Sequence, residues 1–218
     1  MDGFNLYHPI NEMGEPYLKW ASLWRLGELI CEPHGANLVK VVFCTAVPDD
    51  DHARRDRHNT FNAAQRACGV LVIKGHHITE PGTGKRSEKQ SDINVALSLM
   101  LDGLDDVYDI AILLSADSDQ AATARFFSER LKTKKLLAVA PPGKRVPDKV
   151  KPHAFAHFVL TKNHLDACVM REEVIGKSGG TIRRPVEYSP DANWIHPEDR
   201  PKSKPPKAPK KWGNAVRG

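Results

Sequence analysis

Two aspartates directly follow an apolar segment of the sequence. Residues 110–114 (IAILL) have the length and composition of a strand that is covered on both faces. Asp117 and Asp119 come next, together with Ser115. Because ligands bind beyond the carboxyl ends of parallel strands, two carboxylates at this place predict a binding or catalytic site. The alternative for Asp119 is an N-cap of the next helix.

A third aspartate lies on the apolar face of a predicted helix. Asp92 begins a helical pattern over residues 92–101, and its neighbours on the same face are Val95, Ala96 and Leu99. An ionised carboxylate among apolar side chains is unfavourable unless it is paired or binds a cation. Asp92 is therefore a candidate metal ligand. The alternative is an ordinary first-turn aspartate that the helix dipole stabilises.

The fourth aspartate, Asp2, stands in the segment DGFN near the start of the sequence. Taken alone, this segment is explained by a turn. Together with Asp92, Asp117 and Asp119, it forms a set of carboxylates that would raise one another's pKa unless a cation offsets their charge. Oxygen ligands without His or Cys favour Mg²⁺ or Mn²⁺, and such a site can promote attack of water on a phosphodiester. The four aspartates therefore predict a metal-dependent phosphodiesterase.

The segments that carry these aspartates alternate between helix and strand patterns. Helices are predicted at 18–31, 52–67, 92–101, 120–131 and 162–170. Strands are predicted at 38–44, 70–73, 110–114 and 136–140, and a weaker helix and strand follow at 147–160. This alternation predicts an α/β fold with a parallel sheet and helices on both faces. Only Met1 precedes DGFN, so we expect either a very short first strand or a chain that begins downstream of its natural start.

The positive charge of the protein is concentrated at its C-terminal end. The 218 residues have a net charge of +5, and residues 201–218 contain six Lys or Arg and no acidic residue. The remaining 200 residues are nearly neutral, so the high pI does not by itself indicate nucleic-acid binding. We expect a domain over residues 1–170, an irregular extension over 171–200 and a basic disordered tail over 201–218.

Several classes of protein are excluded by composition. No apolar run reaches the roughly 20 residues that a membrane-spanning helix requires. The first residues lack the cationic start and apolar stretch of a secretory signal. The four cysteines are scattered singly and indicate reduced thiols, so we expect a cytoplasmic protein. The sequence is also compatible with a homo-oligomer.

Three segments, in this order, resemble the NYN domain family of PIN-like nucleases. They are DGFNLYH at 2–8, EKQSDINVALSLML at 88–101 and ILLSADSDQ at 112–120. The resemblance implies a PIN-like three-layer α/β/α sandwich with a central, mostly parallel sheet. It also implies a ribonuclease that depends on Mg²⁺ or Mn²⁺ and acts on RNA. Family members have a hydrophobic strand before the first segment, whereas only Met1 precedes that segment here.

The resemblance also implies roles for individual residues. The metal-binding and catalytic residues would be Asp2, Asp92, Asp117 and Asp119. Supporting polar residues would be Asn5 and Ser115. Ala116 stands where the family usually has glycine, a change from which we expect little effect.

Two groups of basic residues are candidates for contacting RNA phosphates near the predicted acidic site. They are Arg54, Arg55 and Arg57 on one predicted helix, and Lys85, Arg86 and Lys89 before another. The alternative is a solvated charged surface. For the whole protein, the main alternative is a non-catalytic RNA-binding or adaptor protein on a PIN-like scaffold. A sugar transferase with a DxD motif is the least favoured alternative, because it leaves Asp2 and Asp92 without a role.

Overall fold

Strands and helices alternate along most of the chain, as the sequence predicts. The computed structural model describes residues 1–47, 51–79 and 86–201, with only the backbone described at 76–79 and 86–89. The strands are β1 (Val42–Thr45), β2 (Leu71–Lys74), β3 (His76–Thr79), β4 (Arg86–Lys89), β5 (Ile110–Leu114), β6 (Lys135–Ala140), β7 (Ala156–Val159), β8 (Glu173–Ile175) and β9 (Thr181–Arg183). The α-helices are α1 (Gly3–Glu12), α2 (Leu23–Cys31), α3 (His52–Ala67), α4 (Ser91–Leu104), α5 (Gln120–Arg130) and α6 (Lys162–Asp166).

Two parallel sheets are joined by the first two residues of the chain. β1 pairs with β2, and β6 lies between β5 and β7. The Met1 nitrogen donates to the Val42 carbonyl at 2.8 Å, and the Cys44 N–H donates to the Met1 carbonyl at 3.0 Å. On the other side, the Asp2 N–H donates to the Leu114 carbonyl at 3.3 Å. Met1 and Asp2 therefore occupy a strand position between β1 and β5.

Helices cover both faces of the joined sheet. On β6, Leu137 and Val139 belong to the hydrophobic core that includes side chains of α1, α2 and α6. Leu136 and Ala138 belong to the opposite core, which includes side chains of α4 and α5. Alternate residues thus face opposite helical layers, as the two-residue period of a strand requires. The three-layer α/β/α architecture predicted from the sequence is confirmed.

A cavity of about 570 Å³ lies between β1 and β5, next to the Met1–Asp2 segment. Its walls include residues 34–42 and 107–113 from the two sides of the gap, and Met1 also lines it. Gly27 and Ile30 of α2 line it as well, together with residues of α4. The Met1–Asp2 ladder runs along Val42–Cys44 of β1 but bonds only to the last residue of β5, Leu114, so the cavity lies beside the earlier residues of β5.

Three local features differ from the sequence predictions. Residues 3–12 form α1, a helix that the sequence pattern does not indicate and that contains Pro9. α4 begins at Ser91, one residue before the predicted start at Asp92, and its N-cap is Gln90, with a φ of 81°. Before α4, β3 and β4 pair in antiparallel orientation, and the sequence analysis predicts neither of these strands. Short strands and a one-residue shift of a cap leave no clear periodicity in the sequence.

The segment after residue 170 is ordered and packs on the domain. β8 and β9 form an antiparallel hairpin, where the sequence indicated an irregular extension. Trp20 is fully buried in a cluster with Ala64, Met170 and Tyr188, and its Nε1–H donates to the Arg171 carbonyl at 2.9 Å. The strands of this hairpin have three residues each, too few to show alternation in the sequence. The basic tail from residue 202 onward lies outside the described residues.

Gly3 provides a test of how closely α1 packs on β1. An added Cβ would lie 2.7 Å from the Thr45 Cβ and 2.9 Å from the Cys44 carbonyl oxygen. We expect Gly3→Ala to lower the free energy of unfolding by about 2 kcal/mol despite the higher helix propensity of alanine. This corresponds to a melting temperature lower by about 5 °C in a thermal unfolding experiment. Gly180→Ala is the control, because an added Cβ there meets no atom within 4 Å. Equal melting temperatures for the two variants would contradict the close packing.

Candidate metal centre

Asp2 is held by both its backbone and its side chain. The residue is only 2% exposed, and its backbone lies in the ladder between β1 and β5. Its Oδ1 accepts hydrogen bonds from the Phe4 N–H at 3.0 Å and from the Asn5 N–H at 3.2 Å, so Asp2 is the N-cap of α1. The Asp2 carboxylate therefore caps α1 and is also available to the site.

Asn5 connects Asp2 to the segment that follows β5. Its Nδ2–H donates to Asp2 Oδ2 at 2.6 Å, and its Oδ1 accepts from the Ala116 N–H at 3.2 Å. One amide side chain thus fixes the position of α1 relative to the end of the strand. This arrangement is compatible with the supporting role predicted for Asn5.

The turn after β5 positions Asp117. Ser115 is buried, and its Oγ accepts a hydrogen bond from the Asp117 N–H at 3.1 Å. Asp117 Oδ1 in turn accepts from the Asp119 N–H at 2.9 Å. The Asp119 side chain is exposed and stands at the N-cap of α5 without forming a side-chain cap bond. The turn therefore directs Asp117 and Asp119 to different surroundings.

Asp92 reaches the site from the first turn of α4. The first residue of α5, Gln120, is 2% exposed, and its Nε2 lies 3.5 Å from the Asp92 carbonyl oxygen. The Gln120 side chain also forms a hydrogen bond that stabilises the ionised Asp92 carboxylate. Within the described residues, the buried Gln120 Oε1 has no hydrogen-bond partner. A buried amide oxygen without a partner is unfavourable unless a water or a cation contacts it.

Three of the four predicted aspartates form one group. Asp2, Asp92 and Asp117 each provide a carboxylate oxygen, and these three oxygens lie within 4.8 Å of one another. Partial burial and the negative charges of Asp2 and Asp117 raise the pKa of Asp92 to about 6. Asp119 does not belong to this group, and its predicted role as a fourth ligand stays a prediction.

The donor set fits a hard divalent cation. All three side chains offer carboxylate oxygens, and they come from three different parts of the fold. Carboxylates at this spacing repel one another, as the raised pKa of Asp92 shows, and a divalent cation would remove that repulsion. Mg²⁺ and Mn²⁺ prefer such oxygen ligands. Asp2, Asp92 and Asp117 are therefore the residues that would hold the ion.

The predicted basic residues have different environments. Arg57 forms an ion pair with Glu187 at 2.8 Å, and Arg55 contacts His52 within α3. Arg54 lines a cleft between α1 and α3. Lys85 and the side chains of Arg86 and Lys89 lie outside the described residues. A role for this set in RNA binding stays a prediction.

The family model of the NYN domain matches residues 1–155 of the chain. The chain belongs to the NYN domain family. A NYN domain belongs to the PIN-like nuclease superfamily, and the three-layer fold described above is consistent with that assignment. A search of the curated proteins and a search of the solved structures return no match.

The NYN domain of this chain has site features that the sequence did not indicate. Gln120 was missed, although it directly follows the segment SADSD and begins the helix after the acidic turn. A polar residue at the first position of such a helix is the signal that identifies it.

None of the helices in the described part of the chain combines the length and apolar character needed to cross a bilayer.

The raised pKa of Asp92 predicts a stability effect that depends on pH. Because the pKa in the folded protein, about 6, lies above the ordinary value, ionised Asp92 lowers the free energy of unfolding above pH 6. We expect Asp92→Asn to stabilise the metal-free protein at pH 8 by about 1 kcal/mol, a value reduced for solvent screening. At pH 4 the gain disappears, since the carboxyl is then protonated in the folded protein.

Thermal unfolding in a chelator at both pH values checks this expectation, with a melting temperature higher by about 3 °C expected at pH 8. Asp105→Asn is the matched control, because Asp105 is exposed at the end of α4. A gain of the same size at pH 4 and pH 8 would show that repulsion within the acidic group is not the cause.

Proposed function

We propose that this protein is a ribonuclease that hydrolyses phosphodiester bonds of RNA and depends on Mg²⁺ or Mn²⁺. The observation that supports this function best is the group formed by Asp2, Asp92 and Asp117, at the carboxyl ends of the central strands of a NYN domain. Substrates of open α/β sheets bind at this edge. The family membership supports RNA as the substrate and a nuclease as the class of activity.

When bound, a divalent cation supplies positive charge that stabilises phosphoryl transfer and promotes the attack of water. The protein contributes the position of its ligands. The Met1–Asp2 ladder and the α1 cap fix Asp2, and the Ser115 hydroxyl fixes the backbone of Asp117. Such fixed ligands lower the cost of reorganisation during the reaction. Asp92, with its pKa of about 6, exchanges a proton near neutral pH when no cation is bound.

Further parts of the proposal concern residues outside the three carboxylates. Asp119 is exposed next to Asp117 and is proposed to bind the cation through water or to orient the attacking water. Basic residues of α3 and the tail from residue 202 onward are proposed to contact the RNA backbone. A cytoplasmic location, as the isolated cysteines predict, would give the enzyme access to cellular RNA.

Substitution of Asp117 tests the proposed site. We expect Asp117→Asn to lower kcat/KM for cleavage of single-stranded RNA by about 100-fold or more, since even indirect partners of metal ligands contribute 10- to 100-fold. Cleavage by the wild-type protein should require Mg²⁺ or Mn²⁺ and stop in a chelator. Gel-resolved cleavage of a labelled oligonucleotide measures both effects.

Asp105→Asn makes the same chemical change at an exposed position outside the acidic group and should cleave like the wild type. Asp119→Asn should lose less activity than Asp117→Asn, because its carboxylate lies outside that group. RNA binding without turnover, insensitive to chelation, would reject the enzyme and favour the RNA-binding alternative. Equal activity of Asp117→Asn and the wild type would reject the site.

A further inference from the structure

We propose that the cleft between α1 and α3 binds one nucleobase of the RNA strand whose phosphate lies at the acidic group. This inference rests on the proposed function, because it takes RNA as the ligand of the neighbouring site. The cleft is separate from Asp2, Asp92 and Asp117, and none of these three residues lines it.

The cleft begins directly beside the acidic group. Gly3 and Thr45 line it, and each is adjacent in the chain to one member of the Asp2–Cys44 bridge. Gly3 also approaches Thr45 so closely that no larger residue fits between α1 and β1. A strand of RNA with a phosphate at the acidic group would therefore have a neighbouring base within reach of the cleft.

Aromatic rings form the walls of the cleft. Phe4, Tyr7 and His58 line it, and the rings of Tyr7 and His58 lie 5.3 Å apart at an angle of 44°. Phe43 and Phe61 are also part of the lining. Stacking of bases on aromatic side chains is the common mode of binding single-stranded nucleic acid, and it is largely independent of sequence.

Two cationic side chains complete the lining. Lys19 Nζ lies 5.2 Å from the centre of the Tyr7 ring and 5.6 Å from that of Tyr188. Arg54 lies on the α3 side of the same cleft. Cations beside aromatic rings match a ligand that combines a planar base with a negatively charged backbone. An apolar peptide would leave these charges without a counterpart, so the lining favours RNA.

One wall comes from outside the residues that match the NYN family model. Tyr188 is 5% exposed and belongs to the segment that follows the β8–β9 hairpin. The neighbouring Glu187 pairs with Arg57 of α3 at 2.8 Å, which fixes this segment against the helix. The family model ends at residue 155, so the extension adds a wall to the cleft that the family match does not cover.

The size of the cleft limits what it can bind. Its volume is about 50 Å³, far below the roughly 300 Å³ or more of sites that enclose a drug-sized ligand. It therefore admits part of one planar ring, in contact with the Tyr7 ring, and leaves the sugar and phosphate outside. The cleft should select for the presence of a base rather than for a particular sequence.

Comparison of a normal and an abasic oligoribonucleotide tests this inference directly. Both have the same phosphate backbone, so a difference in Kd reports base binding alone. We expect the wild-type protein to bind the base-bearing strand about tenfold more tightly, as one stacked base provides. Fluorescence anisotropy in a chelator measures binding without cleavage. An equal Kd for the two strands would overturn the proposal without the use of any variant.

Substitution of Tyr7 then locates the base. Tyr7→Leu keeps an apolar side chain but removes the ring, so the preference for the base-bearing strand should fall to about twofold or less, whereas Tyr7→Phe should keep it. Phe126→Leu is the matched control, since Phe126 is 45% exposed on α5 and does not line the cleft. Thermal unfolding verifies that each variant is folded. An unchanged preference in folded Tyr7→Leu would place the base elsewhere and overturn the proposal.

The outcomes separate this inference from the proposed function. If Asp117→Asn abolishes cleavage but the abasic strand binds as well as the normal strand, the ribonuclease stands and the base site fails. If the base preference is present and depends on Tyr7 but no cation supports cleavage, the base site stands and the ribonuclease fails. Binding in a chelator and cleavage with a cation are measured independently, so neither result determines the other.

Discussion

The site depends on the hydrogen bonds that hold Met1 and Asp2 between β1 and β5. These two residues join the two parallel sheets, and they place the Asp2 carboxylate at the edge where Asp117 leaves the end of β5. The same carboxylate caps α1, and Asn5 connects it to Ala116. The position of one aspartate is thus determined by strand pairing, helix capping and a side-chain amide at the same time.

The fold brings together charges that repel one another. Asp92 comes from the start of α4 and Asp117 from the turn after β5, and both approach a buried Asp2. Partial burial and the short distances between these carboxylates raise the pKa of Asp92. Without a metal ion, the folded protein is therefore less stable with Asp92 ionised than with Asp92 neutral. Groups arranged against their own electrostatics are common at functional sites, where a ligand removes the unfavourable interaction.

The sequence predicted the central part of the fold well. The helices α3 and α5 and the strand β5 were predicted within one residue of their observed bounds, because a long run of helix formers and a buried apolar run are strong local signals. The hairpin β8–β9 and helix α1 were not predicted, since strands of three residues and a helix that contains Pro9 carry weak signals. The residues of the site likewise divide into those with a clear signal in the sequence and those without one. Three aspartates were found from their positions at element ends, whereas Gln120 and the separation of Asp119 depend on side-chain directions within one turn.

The cavity next to Met1 has a consequence for the dynamics of the molecule. β5 pairs with β6 along its whole length, whereas the ladder of Met1 and Asp2 has few bonds and open space on one side. Segments with few bonds open at a lower free energy than the global unfolding of the protein. Backbone amides of the ladder should therefore exchange their hydrogens faster than those of β6. Because Asp2 is a candidate ligand, a bound cation would oppose this opening. Binding of the cation and closure of the Met1–Asp2 ladder are therefore thermodynamically linked.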